Sequence, residues 1–136
     1  MKLSIRYGLV SIGALATLSF VHWARERPKP ESEILLYLLG VLPNITAAVA
    51  IPFVLLGIWA DQNVVASYSR AKRSCSIAVL FSTLGLIGWE FLQQGSRNMV
   101  FDPHDIGATV LGSCIAVGLF LLLTPRKTGR STEPLS

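Results

Sequence analysis

Glu90, Gln93, Gln94 and Arg97 recur at i, i+3, i+4 and i+7, a spacing that sets all four on one face of a helix. Glu90 lies near the end of an apolar run, 76–92, that is long enough to cross a bilayer. Ionisable groups at membrane depth are costly and mark functional sites by default. Asp102, His104 and Asp105 open the next apolar run, and Asn44, early in the second run, is expected near the same height. The mouth of such a bundle is polar and carries both charge signs. Three readings compete for it. In the first, Glu90 is hydrated, Arg97 pairs with Asp102 or Asp105, and the acids only cap a helix and oppose its dipole, worth about 0.5–2 kcal/mol. In the second, the cluster is a recognition pocket. Arg97 grips a phosphate or carboxylate with its guanidinium fork, while Gln93 and Asn44 hydrogen-bond a headgroup. In the third, Glu90 is a general base, although no nucleophile motif stands beside it.

The elements that must position these residues follow from composition. The chain is 51% hydrophobic and 15% charged, against about 25% charged in a soluble domain. Its apolar residues gather in four runs, 7–23, 34–60, 76–92 and 106–123. A helix needs roughly 20 apolar residues to span the hydrocarbon. The runs are continuously apolar, whereas a barrel strand alternates, so the expectation is an all-α, integral membrane four-helix bundle. Helices are expected at about 5–23, 34–60, 75–94 and 103–124, within one transmembrane domain, 1–125, followed by a disordered tail, 126–136. The first run has a basic flank, Lys2 and Arg6, and a small-x-small site at Ala14–Ala16. That site lies inside the run, so the segment reads as an uncleaved helix rather than a signal peptide.

Residues 24–33 form a charged, proline-containing outer loop. The second run is longer than one span requires: 27 residues reach about 40 Å. Gly40 and Pro43 lie where it is expected to bend or break, Pro52 adds a second bend, and 34–39 extend along the outer interface. An inner loop, 61–74, ends in Arg70, Lys72 and Arg73. A short turn, 95–101, makes the last two helices antiparallel neighbours. Asp102 suits the N-cap, Pro103 the first helical position and Asp105 the first turn. Trp23, Tyr37 and Trp89 toward the outer face, and Tyr7 and Trp59 toward the inner face, read as interfacial belts. Small residues at Ala108, Gly112 and Ala116, and at Ala78, Ser82, Gly85 and Gly88, form ridges suited to close packing in lipid. Cys75 and Cys114 differ too much in height for a disulfide and read as packing residues.

No Gly-rich phosphate loop, H-E-x-x-H or G-x-S-x-G occurs. Asp102, His104, Asp105 and Glu90 lack a recognised ligand spacing, so no metal and no cofactor is expected. The basic residues carry no nucleic-acid motif. Membrane lipids are the expected partners of the basic flanks.

The stretch Trp89-Glu90-Phe91-Leu92-Gln93, then Arg97, Asp105 and Gly112, resembles the VanZ-like family. Its motif is a Glu-x-x-Gln helix end, an Arg a few residues on, and an Asp opening a final helix with a glycine on its first turns. The match covers about 88–118, with Asn44 to Pro52 a looser counterpart of the family's second helix. Many members carry Asn where this chain has Thr109. The family consists of small multi-pass bacterial membrane proteins, some linked to resistance to glycopeptides such as teicoplanin, and no biochemical activity is established for it. The resemblance implies a cell-envelope role in the bacterial cytoplasmic membrane. The leading reading is recognition of an anionic lipid or a lipid-linked wall precursor through Glu90, Gln93, Arg97, Asp105 and Asn44, without catalysis. A small accessory subunit packed on a larger membrane-protein partner, and an enzyme acting on a headgroup, are the alternatives.

Orientation follows from charge. Of the 12 basic residues, Lys2, Arg6, Arg70, Lys72, Arg73, Arg126, Lys127 and Arg130 fall on one side of a four-span topology. Only Arg25, Arg27, Lys29 and Arg97 fall on the other, which puts both termini in the cytoplasm. A cytoplasm-active reporter fused after Ser136 should be active, and one inserted between Arg25 and Glu33 should be silent. The reverse pattern would overturn the orientation.

Overall fold

The computed structural model describes residues 1–27, 31–64, 66–94 and 103–126, and for Gln93 and Gln94 the backbone alone. Four helices follow the four apolar runs: α1 (Leu3–Arg25), α2 (Glu33–Gln62), α3 (Tyr68–Gln94) and α4 (Pro103–Leu123). Each is long and apolar enough to cross a membrane, and no strand occurs among the described residues. The chain is an all-α, multi-pass membrane protein. Residues 95–102 and the tail beyond 126, including the segment expected to be disordered, lie outside the described residues.

α2 is the central helix, packed against α1, α3 and α4, while α1 and α4 scarcely meet. α1 is antiparallel to α2: Arg25 reaches Leu39 and Gly40, and at the other end Gly57 lies over Gly8 and Ser4. α2 and α4 run parallel in a constant register. Tyr37 meets His104, Ile45 meets Gly112, and Phe53 and Phe120 both pack on Tyr7. In each pair the α4 residue lies 67 positions after its α2 counterpart. α3 is antiparallel to α4, with Thr83 bonded to Ser113 at 2.6 Å and Tyr68 stacked on Phe120. Residues 1 and 126 thus lie at one end, the terminal end. Residue 33, residue 94 and residue 103 lie toward the other, the distal end.

Lipid tails are as apolar as leucine, so helices in a bilayer associate through close packing rather than through the hydrophobic effect. The interior here is built accordingly. α4 buries Ala108, Gly112 and Ala116, and α3 buries Ala71, Cys75, Ala78 and Ser82. Gly112 is the tightest point. A Cβ there would stand 2.6 Å from the Ile45 carbonyl oxygen and 2.8 Å from the Ala48 Cβ. The second ridge is only half used: Gly85 is exposed, and neither Gly85 nor Gly88 has an atom within 4 Å of where a Cβ would stand. Four-residue spacing marks a smooth face, but it does not say which smooth face has a neighbour. Cys75 is buried and Cys114 is exposed, so Cys114 is not a packing residue within the chain.

The terminal end is closed by aromatic side chains. Tyr7 is completely buried, edge-on to Phe53 at 5.6 Å and stacked on Phe120 at 6.1 Å. Its hydroxyl lies 2.6 Å from the Thr124 hydroxyl, and Arg6 donates to the Leu123 carbonyl at 3.2 Å. A buried phenol needs such a partner, because an unpaired hydroxyl in a low-dielectric interior is expensive. Tyr7 is therefore a core residue tying α1 to the end of α4, and not part of an interfacial belt.

Two expectations about helix extent change. Of the bend or break expected at Gly40–Pro43, the break does not occur: α2 is helical without interruption from Glu33 to Gln62, with Pro43 and Pro52 inside it. Its 30 residues reach about 45 Å, so it must tilt or project beyond a core of about 30 Å. α3 begins at Tyr68 rather than near 75, which puts Arg70, Lys72 and Arg73 on its first turns instead of in a loop.

The Gly112 contact leaves no room for any side chain. Gly112→Ala should lower stability in detergent by about 1–3 kcal/mol, and Gly112→Leu by more. Gly118→Ala, on the same helix with nothing within 4 Å of its Cβ position, should cost nothing. Equal thermal unfolding profiles for the three variants would show that α2 and α4 do not approach as described.

Candidate functional site

Glu90 is buried, with 4% of its surface exposed. The buried stripe of α3 runs through Ala71, Cys75, Ala78 and Ser82, at steps of four and three. The same steps lead on to Gly85 and Trp89, both exposed, so Glu90, eight residues after Ser82, is buried about a quarter-turn off that stripe. Its carboxyl side chain is enclosed by protein rather than turned to lipid. A carboxyl group in that position needs hydrogen bonds or charges around it. The hydrated, surface position weighed for Glu90 does not hold.

The helix register sets the level at which Glu90 stands. Thr83 of α3 bonds Ser113 of α4. Moving seven residues outward along each antiparallel helix brings Glu90 to the first turn of α4, where Asp105 lies. Along the parallel α2–α4 register, Asp105 is level with residue 38 of α2. Glu90 and Asp105 therefore share a level near the distal end. Asn44 is half-buried and stands five to six residues deeper along α2, roughly 8–9 Å at 1.5 Å per residue. It is not level with Glu90, as its place in the sequence suggests. The overlong α2 causes the difference, because an unbroken helix carries its first turns well above the level of Glu90.

A residue outside the expected set occupies the same level. Pro43 has no N–H, so the carbonyl four residues earlier, that of Leu39, loses its helical donor. Arg25, the last residue of α1, supplies one instead. Its Nε donates to the Leu39 carbonyl at 2.8 Å and one terminal nitrogen donates to the Gly40 carbonyl at 3.0 Å. The guanidinium fork suits two neighbouring carbonyls. Arg25, read above as part of a hydrated loop, instead completes the α2 backbone at the Glu90–Asp105 level. The signal for it was present: a basic residue ending one helix, and a proline four residues after an orphaned carbonyl in the next.

The start of α4 is as expected, with Pro103 as its first residue and Asp105 in its first turn. Thr109 is 1% exposed, and its hydroxyl donates to the Asp105 carbonyl at 2.9 Å. Ser113 continues the pattern, donating to the Thr109 carbonyl at 2.9 Å. His104 packs edge-on against Tyr37 at 5.7 Å. Among the described residues no three His, Cys, Asp or Glu side chains gather as a metal set. Gln93 and Gln94 end α3, but their side chains, like Arg97 and Asp102 as a whole, lie outside the described residues. What the structure sets at one level is a buried acid on α3, an acid on the first turn of the neighbouring α4, and, on the α1 side of α2, a guanidinium whose bonds go to the α2 backbone. Such a layer can accept hydrogen bonds from hydroxyls and amides through its carboxylates, and it can hold cations.

Comparisons with family models, with curated proteins and with solved structures returned no match. The functional reading therefore rests on the residues and their placement.

The Arg25 clasp can be tested by a double-mutant cycle. Arg25→Ala should destabilise the protein by about 1 kcal/mol, and less in a Pro43→Ala background, where residue 43 regains an N–H for the Leu39 carbonyl. Strictly additive losses in thermal unfolding would show that Arg25 and Pro43 are not coupled.

Proposed function

We propose that this chain is a VanZ-like protein of the bacterial cytoplasmic membrane, with both termini in the cytoplasm. Its distal end recognises the headgroup of an anionic lipid or a lipid-linked wall precursor. The observation that carries the proposal is the burial of Glu90 near the end of α3, level with Asp105. A bundle needs no carboxyl group there for stability, since packing does that work through small residues. In this reading Arg97 grips the phosphate of the headgroup with its planar fork. Glu90, Gln93 and Asp105 take the hydroxyl and amide groups that a wall precursor carries. Asn44, deeper by more than a turn, meets only a group that inserts between the helices. No catalytic step is part of the proposal.

A second reading, a small accessory subunit, draws on one observation: at Gly85 and Gly88 on α3 no neighbour among the described residues lies within 4 Å of where a Cβ would stand. A partner helix in the membrane would fit there.

The test is complementation of a deletion strain, scored by envelope-stress or glycopeptide sensitivity, with variants matched for membrane abundance. If recognition holds, Arg97→Lys fails to restore function, because a point charge cannot replace the fork. Arg97→Ala and Glu90→Gln also fail. Full complementation by both Arg97→Ala and Glu90→Gln would sink the recognition reading and leave the accessory subunit in front.

A further inference from the structure

A separate apolar surface lies at the opposite end of the bundle. α2 and α3 diverge there around a cleft of about 410 Å³ lined by Leu55, Leu56, Trp59, Ile77, Ala78 and Phe81, with Ser74 at its mouth. Its volume falls within the roughly 300–1,000 Å³ of small-molecule sites. Its lining is almost wholly apolar, and it opens sideways at membrane depth, where the only abundant apolar occupant is an acyl chain. One turn beyond Ser74, toward the terminal end, stands Arg70, exposed. Arg70, Ser74, Ile77 and Phe81 follow at i, i+4, i+7 and i+11, so the arginine continues the line of the cleft itself. Arg73, also exposed, flanks the same line at i+3. Lys72 points the other way, close to half a turn around the helix. The acid closest in sequence, Asp61, does not line this cleft; it lines an α1–α2 cleft with Ser4 and a second one shared with Lys2, Trp59 and Ala71.

We infer that this cleft binds a single anionic phospholipid of the leaflet facing the termini, with one acyl chain between α2 and α3 and the phosphate held by Arg70 and Arg73. Charge complementarity favours the anionic class. Two guanidinium groups at headgroup level suit a phosphate and an anionic headgroup, whereas a zwitterionic lipid brings its own cation to the same place. Trp59 sits in the wall near the headgroup level, a usual position for an indole in a bilayer. The site is independent of the distal polar layer and of the function proposed for it.

Trp59 makes the site readable. In a Trp23→Phe, Trp89→Phe background, in which both replaced side chains are exposed, Trp59 is the sole indole. The protein is reconstituted into vesicles of unlabelled phosphatidylcholine containing increasing fractions of either brominated phosphatidylglycerol or brominated phosphatidylcholine with identical chains. Bromine quenches the indole on contact. Half-maximal quenching should need several-fold less of the brominated phosphatidylglycerol. Arg70→Ala and Arg73→Ala should each weaken that preference, about fivefold at most per arginine, and together abolish it. Lys72→Ala, which removes the same charge from the other face, should leave it intact. Equal quenching by the two lipids overturns the proposal, as does a preference that survives the double arginine variant. A loss with Lys72→Ala as large as with Arg70→Ala also overturns it, since attraction would then be diffuse. All five substituted positions are exposed and outside the core, and a single symmetric size-exclusion peak confirms that each variant is folded before titration.

Discussion

The close approach of α4 to α2 at Gly112 is the constraint on which the distal end depends. With no side chain at Gly112, the α4 backbone comes within a Cβ's reach of the Ile45 carbonyl, and this contact locks two parallel helices into one register from Tyr37–His104 to Phe53–Phe120. The lock sets where the first turn of α4 stands along α2. Through the Thr83–Ser113 bond it also sets where Glu90 stands. In a bilayer, packing of this kind carries the association that the hydrophobic effect carries in water, so a single methyl group at Gly112 has consequences one or two turns away.

The second constraint is the backbone of α2. A helix with two internal prolines in lipid exposes carbonyls that no water can reach, and each costs free energy unless another donor is found. Arg25 is that donor for Leu39 and Gly40. It explains how α2 stays helical through Pro43, and it ties the end of α1 to the level of Glu90 and Asp105. At the terminal end the Tyr7–Thr124 bond and the Arg6–Leu123 contact play the corresponding part, joining the first helix to the end of the last. The two ends differ in kind: the terminal end is sealed by aromatic packing, and the distal end is a polar layer.

The four helices were legible because each is a continuous apolar run of bilayer length, a signal that few other structures produce. Gly112 was legible because glycine between two alanines at four-residue spacing has little use other than contact. The inward position of Glu90 was only half legible: its spacing showed a helix face, but which face α3 turns inward depends on partners far away in sequence. Tyr7 was misplaced for the same reason, since an aromatic near a basic terminus resembles a belt residue until its partner, 117 positions later, is known. Pro43 signalled a break through its own chemistry, and the compensating donor lies on another helix. Local pattern gives elements; the pairing of residues between elements comes from packing that no single segment encodes.

The register of α2 against α4 carries the whole placement of the polar layer, and it can be measured directly. In a Cys75→Ala, Cys114→Ala background, a short bifunctional thiol reagent is applied to membranes carrying either Tyr37→Cys with His104→Cys, or Asn44→Cys with His104→Cys. The rings at 37 and 104 are 5.7 Å apart, whereas 44 lies seven residues, about 10 Å, further along α2. Rapid linking of 37 to 104 with little linking of 44 to 104 is the result the structure requires. Preferential linking of 44 to 104 would place the start of α4, and with it Asp105 and Glu90, two turns from the level assigned to them, and would contradict the account.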